Sequence, residues 1–423
     1  RLQGERGRLD YLIGAFFGRE IITSRDNFLL GSDVELYVNA LSGGFIPLFT
    51  GLPLGENFPA GAGVFDVFRQ RTTSAALFSH HIVALSDRLS LTLGGRYTHQ
   101  KKSIAADISS DNPACDAAIS NFGPELTGVP LSLQGLICIP NLDPRYDGKF
   151  RASSSEDNGS GTVALSHQFG EMFSAYAQYS RGYKGGGYQL DRSGMDPLAP
   201  ALSQIAFDAE TADSFELGAR AYSQDGIWHI SASLFHTSFN DYQFSFFTGI
   251  NRRTQNVPEL VTKGFEVEAA LRPVPFLEFT LATSYQEVIF GKSGFPAGLT
   301  QLQGSTSPIA PRWVVVGTVS YGQEIGNLGL NLFGNANLRW QSRANVGASA
   351  TPTPDFIQES YAVAGARIGV SGRDNHWRLE FWGRNIFNHR AWSILNNTTL
   401  QPGSISGYVS DPRTLGLTGT LSW

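Results

Sequence analysis

Period-two alternation of apolar and polar residues recurs from one end of this 423-residue chain to the other, and it limits the fold more than any other feature. In the run from Leu89 to Thr98, an extended backbone puts Leu89, Leu91, Leu93 and Tyr97 on one face and Ser90, Thr92, Arg96 and Thr98 on the other. Phe215, Leu217, Ala219 and Ala221 stand in the same way against Ser214, Glu216 and Arg220. So do Phe265, Val267, Ala269 and Leu271 against Glu266, Glu268 and Arg272, and Trp228, Ile230, Ala232 and Leu234 against His229, Ser231 and Ser233.

About fourteen such segments can be read, each bounded by Gly, Pro, Asn or Asp clusters. They lie near 8–25, 66–84, 89–108, 153–168, 173–189, 210–223, 227–247, 254–272, 276–291, 311–322, 327–346, 358–371, 376–394 and 411–423. Their connections alternate in length. Tight turns fall near Ser86, Gly170, Asp225, Val274, Gly322 to Gly326 and Gly372 to Asn375, and long polar loops at 26–65, 109–152, 190–209, 292–310, 347–357 and 395–410, with 248–253 the one short exception. A soluble sandwich has no reason to sort its loops by length, whereas an up-and-down barrel in an outer membrane has short periplasmic turns and long outer loops. The charges Glu216, Arg220, Glu266 and Glu268 on the polar face agree, since a dry core would leave them unpaired and a wide lumen is wet.

Composition narrows the choice. Charged residues make up 16% of the chain, well below the roughly 25% of ordinary soluble domains, while Gly is abundant at 47. The net charge of −5 gives no footprint for phosphate backbones, so nucleic acid is not an expected partner. No run of about eighteen apolar residues occurs, which excludes a helical span but not a barrel strand of about ten. The chain opens at Arg1 without an initiator Met or a charged-then-apolar leader, which reads as a truncation. Cys115 and Cys138, the two cysteines, lie in one polar segment; this suits a loop-closing disulfide in an oxidising compartment, with two free thiols as the alternative.

The run Tyr176 to Gln189 (YAQYSRGYKGGGYQ) resembles the barrel of TonB-dependent outer-membrane receptors. Glu210 to Gly218 (ETADSFELG), Lys263 to Glu268 (KGFEVE), Ala310 to Trp313 (APRW) and Trp382 to Asn388 (WGRNIFN) follow in the family's order, and Asp411 to Trp423 is similar to its closing strand. The resemblance implies an all-β, transmembrane, antiparallel up-and-down barrel over residues 1–423, holding about fourteen of roughly twenty-two strands. It further implies that the plug domain and the TonB box are missing and that the sheet stays open. Leu417, Leu421 and Trp423 are similar to the C-terminal signal read by the barrel assembly machinery. Arg384 and Asn385 are expected to be structural.

No catalytic constellation is present: there is no G-x-S-x-G elbow, H-E-x-x-H, phosphate loop or C-x-x-C. The run Lys184-Gly185-Gly186-Gly187 lacks phosphate-loop spacing and reads as flexible strand-end glycine. Adjacent His80 and His81 point to opposite faces and cannot chelate one metal together. No enzyme activity, cofactor or metal site is therefore expected. The resemblance implies a bacterial outer-membrane receptor that captures a small-molecule nutrient, such as a siderophore-iron complex, cobalamin or an oligosaccharide, for TonB-energised uptake, with membrane lipid as its surroundings. Tyr183, Tyr188, Tyr242, Phe244, Trp340, Arg343 and Trp392 are candidate substrate contacts near the tops of strands, where an aromatic girdle explains such residues equally well. A self-contained diffusion pore, or a soluble secreted all-β protein, are the rival readings.

Overall fold

The computed structural model describes every residue except 327–328, 351–353, 375, 402 and 423. Its main body is one antiparallel sheet of fifteen strands, each paired with its neighbour in sequence apart from short detours inside loops. The strands are Leu2–Arg6, Leu9–Leu29, Gly63–Ala84, Leu89–Ile108, Gly148–Gln168, Phe173–Lys184, Glu210–Tyr222, Trp228–Phe247, Arg252–Val274, Leu277–Phe290, Trp313–Ile325, Leu330–Gln341, Tyr361–Gly372, Trp377–Arg384 and Thr414–Leu421. Leu2–Arg6 is additional to the expected set, joined to its partner by a turn at Gly7 with φ +63°. The first and last strands each pair on one side, so the described sheet is open, as expected.

Cross-strand register shows why alternation matters. Leu165, Ala177, Leu217, Leu234, Phe265, Tyr285 and Trp313 fall opposite one another on seven successive strands, forming a continuous apolar row. Among the described residues nothing covers this face: Phe17 is 73% exposed, Leu77 68% and Leu417 70%. Water would not tolerate so large an apolar surface, and hydrocarbon does, provided the backbone hydrogen bonds are satisfied within the sheet. The other face carries polar pairs such as Ser214 with Thr237 (2.8 Å) and Asn335 with Ser320 (2.9 Å). The Tyr176 hydroxyl donates to the Glu216 carboxylate on that face.

Several expected boundaries move: 8–25 runs on to Leu29 and 153–168 begins at Gly148, while three segments end early. The segment 376–394 ends as a wall strand at Arg384, because Asn385 (φ +46°) and Asn388 (φ +53°) take left-handed backbone; Trp392–Asn397 then pairs with Ile405–Val409 inside the loop. Phe173–Lys184 stops before Tyr188, and Leu330–Gln341 before Val346, each followed by a two-residue strand in its loop. The short connection at 248–251 is real, and the two strands it joins are long instead, 20 and 23 residues.

Helices occur in the long connections. Val34–Leu41 and Ile46–Thr50 pack with Pro113–Phe122 and Leu131–Ile137 around Val38, Ala118, Leu126 and Ile137, all fully buried. Cys115 and Cys138 are joined by a disulfide inside this cap.

Candidate functional site, the loop-covered mouth

The upper inner wall is not open to solvent. Phe68, Ile104, Ala106 and Ile108 face inward and are nearly fully buried, because the 185–209 loop folds over them with Tyr188, Met195, Leu202 and Ile205. The glycine run makes that approach possible. A Cβ on Gly186 would stand 2.6 Å from the Phe207 carbonyl oxygen, and one on Gly185 would stand 2.5 Å from both Gln100 Oε1 and Glu156 Oε1. The run is a place of close packing, not a flexible strand end. The Gly186 amide donates to Glu156 Oε2 at 3.1 Å, and Lys102 Nζ donates to the Gly186 carbonyl.

One buried cation fixes this loop. Arg192 is 2% exposed and its Nε donates to Asp66 Oδ2 at 2.8 Å, its Nη2 to Asp66 Oδ1 at 2.5 Å and to the Ser109 carbonyl at 3.0 Å. Its Nη1 reaches the Asp143 carbonyl at 3.3 Å. A bidentate, fully desolvated guanidinium thus joins a wall strand to two outer loops. Neither Arg192 nor Asp66 stands out in the sequence, since their partners lie 126 and 83 positions away or lack any local motif.

Beside this clamp lies a cavity of about 660 Å³, walled by Asp26, Asp66, Asn141, Asp191, Arg192 and Asn251 together with apolar residues that include Leu400. Loops from opposite ends of the sheet meet here. Tyr37 Oη donates to the Leu400 carbonyl at 2.6 Å, and the Asn141 amide donates to Asn251 Oδ1 at 2.7 Å. A second recess of about 670 Å³ opens lower on the wall, where pairing between Gly148–Gln168 and Phe173–Lys184 stops at Gly161 and Arg181. Arg96, Gln100, Ser160 and Tyr183 line it. Both cavities are rich in hydrogen-bonding groups and neither holds a catalytic pair.

The structure separates the seven expected contact residues. Tyr188 is 8% exposed within the loop core, and Phe244 is 6% exposed, its ring 5.3 Å from Phe290 and 5.6 Å from Phe246. Both rings pack against protein and are not free to meet a solute. Half-buried Tyr242 leans on Phe239 at 5.9 Å, beside the same aromatic cluster. Trp340 falls opposite Val315 in the outward register that includes Trp313, so it stands on the apolar face and not on the polar one. Tyr183 reaches the lower recess, Arg343 is exposed between strands, and Trp392 is 43% exposed in the last long loop. Leu417 and Leu421 stand on the outward face of the closing strand, opposite Phe381 and Trp377, and Trp423 lies outside the described residues.

Comparison with known proteins agrees with this architecture. Residues 7–386 match the family described as TonB dependent receptor-like, beta-barrel. The ferric yersiniabactin uptake receptor FyuA from Yersinia pestis superposes with a TM-score of 0.70 at 16% identity, covering 98% of this chain and 51% of that one. The siderophore receptor PiuA from Acinetobacter baumannii gives 0.63 at 14% identity, with 99% and 54% covered. The ferric-catecholate import receptor Fiu from E. coli K12, in its closed form, gives 0.63 at 15% identity, with 99% and 53% covered. Among curated proteins none matches the sequence. The chain spans about half the length of these solved structures, and at such identities the likeness concerns the fold. With a wall of two-faced strands and a family match over most of its length, this chain belongs to the TonB-dependent receptors, as part of their β-barrel.

Proposed function

We propose that the chain forms the wall and outer mouth of a bacterial outer-membrane receptor, which binds a small-molecule nutrient and admits it by TonB-energised opening of a plug. One observation carries this reading most directly: a wet face and an uncovered apolar face alternate along fifteen strands, with loops closing over the wet side at one end. FyuA is a ferric yersiniabactin uptake receptor and PiuA a siderophore receptor, which favours a siderophore-iron complex over cobalamin or an oligosaccharide. The two cavities offer carboxylates, amides and guanidinium groups to hold it; Tyr183 lines one of them, and Arg343 and Trp392 are exposed candidates outside both. No enzyme chemistry is assigned, and the Cys115–Cys138 bond suits an oxidising, extracytoplasmic setting. Leu417 and Leu421, with Trp423, are proposed to form the assembly signal.

The diffusion-pore alternative needs a closed ring, and the first and last strands of the described sheet share no hydrogen bonds. Growth of a deletion strain on single iron sources, in the form of ferric siderophore complexes, tests the proposal. Loss of growth on one complex, restored by the gene and dependent on TonB, is the expected result. Unchanged growth on every iron source, together with passive leakage of small solutes through the purified protein in planar bilayers, would overturn it.

A further inference from the structure

The strand pairings leave an opening in the wall. Gly148–Gln168 is paired with Leu89–Ile108 along its whole length, but with Phe173–Lys184 only from Gln168 up to Gly161, which stands opposite Arg181. Above that pair the two strands part. They are joined again where the Gly186 amide donates to Glu156 Oε2 at 3.1 Å. About four residues of strand lie between, so the window is ~13 Å tall.

The cavities at this place are lined from both faces of the sheet, which an unbroken sheet does not allow. The recess of about 670 Å³ takes Arg96, Gln100 and Ser160 from the wet face and Arg181 and Tyr183 from the outward one. A neighbouring cavity of about 530 Å³ takes Asn158 and Thr162 from the wet face and Asp157, Val163 and Tyr179 from the outward one. Glycines widen the passage: a Cβ on Gly95, Gly159 or Gly182 would meet nothing within 4 Å.

Height and chemistry together identify what fits. Gly161 lies about seven residues above Gln168; at ~3.3 Å per residue and a tilt near 45° the window opens ~16 Å above the turn and ends at ~25 Å, in the upper part of a barrel's apolar band. Directly below it on the outward face, a groove of about 510 Å³ runs between Tyr179, Phe215, Leu217 and Leu234, and Tyr179 lines both spaces. Charges at the lips of the window are satisfied within the chain. Asp157 accepts from Tyr97 Oη at 2.8 Å and lies 2.8 Å from His99 Nδ1, and Asp213 accepts from Tyr179 Oη at 2.6 Å and from Arg181 Nη1 at 3.1 Å. On the lumen side, by contrast, buried Gln100 Oε1 has no hydrogen-bond partner, and among the described residues Arg96 has no ion pair within 4.0 Å. A polar passage that opens onto an oily groove suits a molecule with both characters. Resting on the receptor reading above, we infer that the nutrient is an amphiphile whose oxygen-rich, iron-chelating head enters the lumen sideways through the window while a single acyl chain lies along the groove beneath. The head supplies oxygens to Arg96 and an N–H to Gln100 Oε1, and the chain covers Phe215, Leu217 and Leu234.

The test measures uptake of radioactive iron by cells that make the full chain, supplied with a ferric trihydroxamate or a ferric triscatecholate, each carrying either a dodecanoyl or an acetyl group on the same amine. Wild-type cells are expected to take up one dodecanoyl complex at least ~tenfold faster than its acetyl counterpart at low concentration, because a buried chain adds binding. Partition of the chain into the bilayer favours that complex in any variant, so the window itself is altered. Gly159→Phe with Gly182→Phe puts rings where a Cβ has free space, and the ratio is expected to fall close to one. Gly182→Val, which fills part of the opening, is expected to give a ratio in between, and it decides the matter if the double variant does not reach the outer membrane. Gly170→Phe, at a turn away from the window, keeps the wild-type ratio. Equal uptake of dodecanoyl and acetyl complexes by wild type, or an undiminished ratio in the window variants, overturns the amphiphile and leaves the receptor standing. Dodecanoylglycerol has no chelating head; if it inhibits as strongly as the metal-free dodecanoyl chelator, the groove belongs to membrane lipid and the amphiphile is overturned too. Uptake of none of the four complexes overturns the siderophore-iron reading and the amphiphile with it.

Discussion

Glu35 shows how a single side chain can hold a loop that alternation says nothing about. It is 6% exposed, and its carboxylate takes the Gly55 amide at 2.7 Å, the Asn57 side chain at 3.0 Å and the Phe58 amide at 3.3 Å. Burial pushes the carboxyl up, but these donors outweigh it and hold the group below the usual glutamate range. A depressed folded value means that the stabilisation is fully present above the unfolded value, ~4.3, and fades as pH falls through the lower folded one. Glu35→Gln is expected to speed hydrogen exchange at Gly55 and Phe58 at neutral pH, by the equivalent of ~1–3 kcal/mol. Wild type and variant converge at pH values below the carboxylate range; a gap that persists there counts against the charge. At this scale the sequence was least legible. Tyr188 and Phe244 looked like strand-top contacts because alternation reports which face a residue takes, not whether a loop 185–209 or a neighbouring hairpin covers that face.

Elements were legible in proportion to their length and regularity. Leu89–Ile108 begins and ends where its pattern does, because twenty residues of alternation bounded by turns leave one register open. Leu2–Arg6 escaped notice because five residues hold too few alternations to distinguish a strand from a tail. The break after Arg384 had a signal in Asn385 and Asn388, residues that tolerate left-handed backbone, and Asn385 Nδ2 confirms the stop by donating to the carbonyls of His389 (2.7 Å) and Asp411 (2.8 Å). The loop elements depend on the Arg192 clamp more than on their own propensity. Replacing Arg192 by Ala strands Asp66 as a buried, unpaired charge, and the expected cost is ~3–5 kcal/mol of local stability. Limited proteolysis should cut within 185–209 and 109–147 while the sheet signal in circular dichroism is unchanged. The double change Arg192→Met with Asp66→Leu should recover much of the loss, and equal protease resistance in all three proteins would show that the apolar contacts of Tyr188 and Met195 suffice.

At the scale of the molecule two solvents and two kinds of core coexist. The wall has almost no interior of its own: its stability comes from backbone pairing in a medium without competing water, which is why its pattern can be read residue by residue. The cap formed by 30–62 and 109–147 is instead a small water-facing domain with a conventional core of Val38, Ala118, Leu126 and Ile137, and its helices, Val34–Leu41 among them, lie in segments read from the sequence as loops. Short helices carry too few turns for period 3.6 to show against a polar background. So small a core depends on its staple, and the two parts should therefore separate on reduction. Closing 23 residues between Cys115 and Cys138 restricts the unfolded cap by about 3 kcal/mol. Reductant, or the pair C115S and C138S, is expected to open the cap to protease and to hydrogen exchange at Cys115 to Ile119, while the amides of Leu89–Ile108 stay protected. Loss of protection in that strand as well would mean that the wall leans on its cap. Unchanged protection in both would mean that the sixteen-residue apolar cluster, with Asn121 Nδ2 donating to the Thr50 carbonyl at 3.0 Å, holds the cap together without the sulfur bridge.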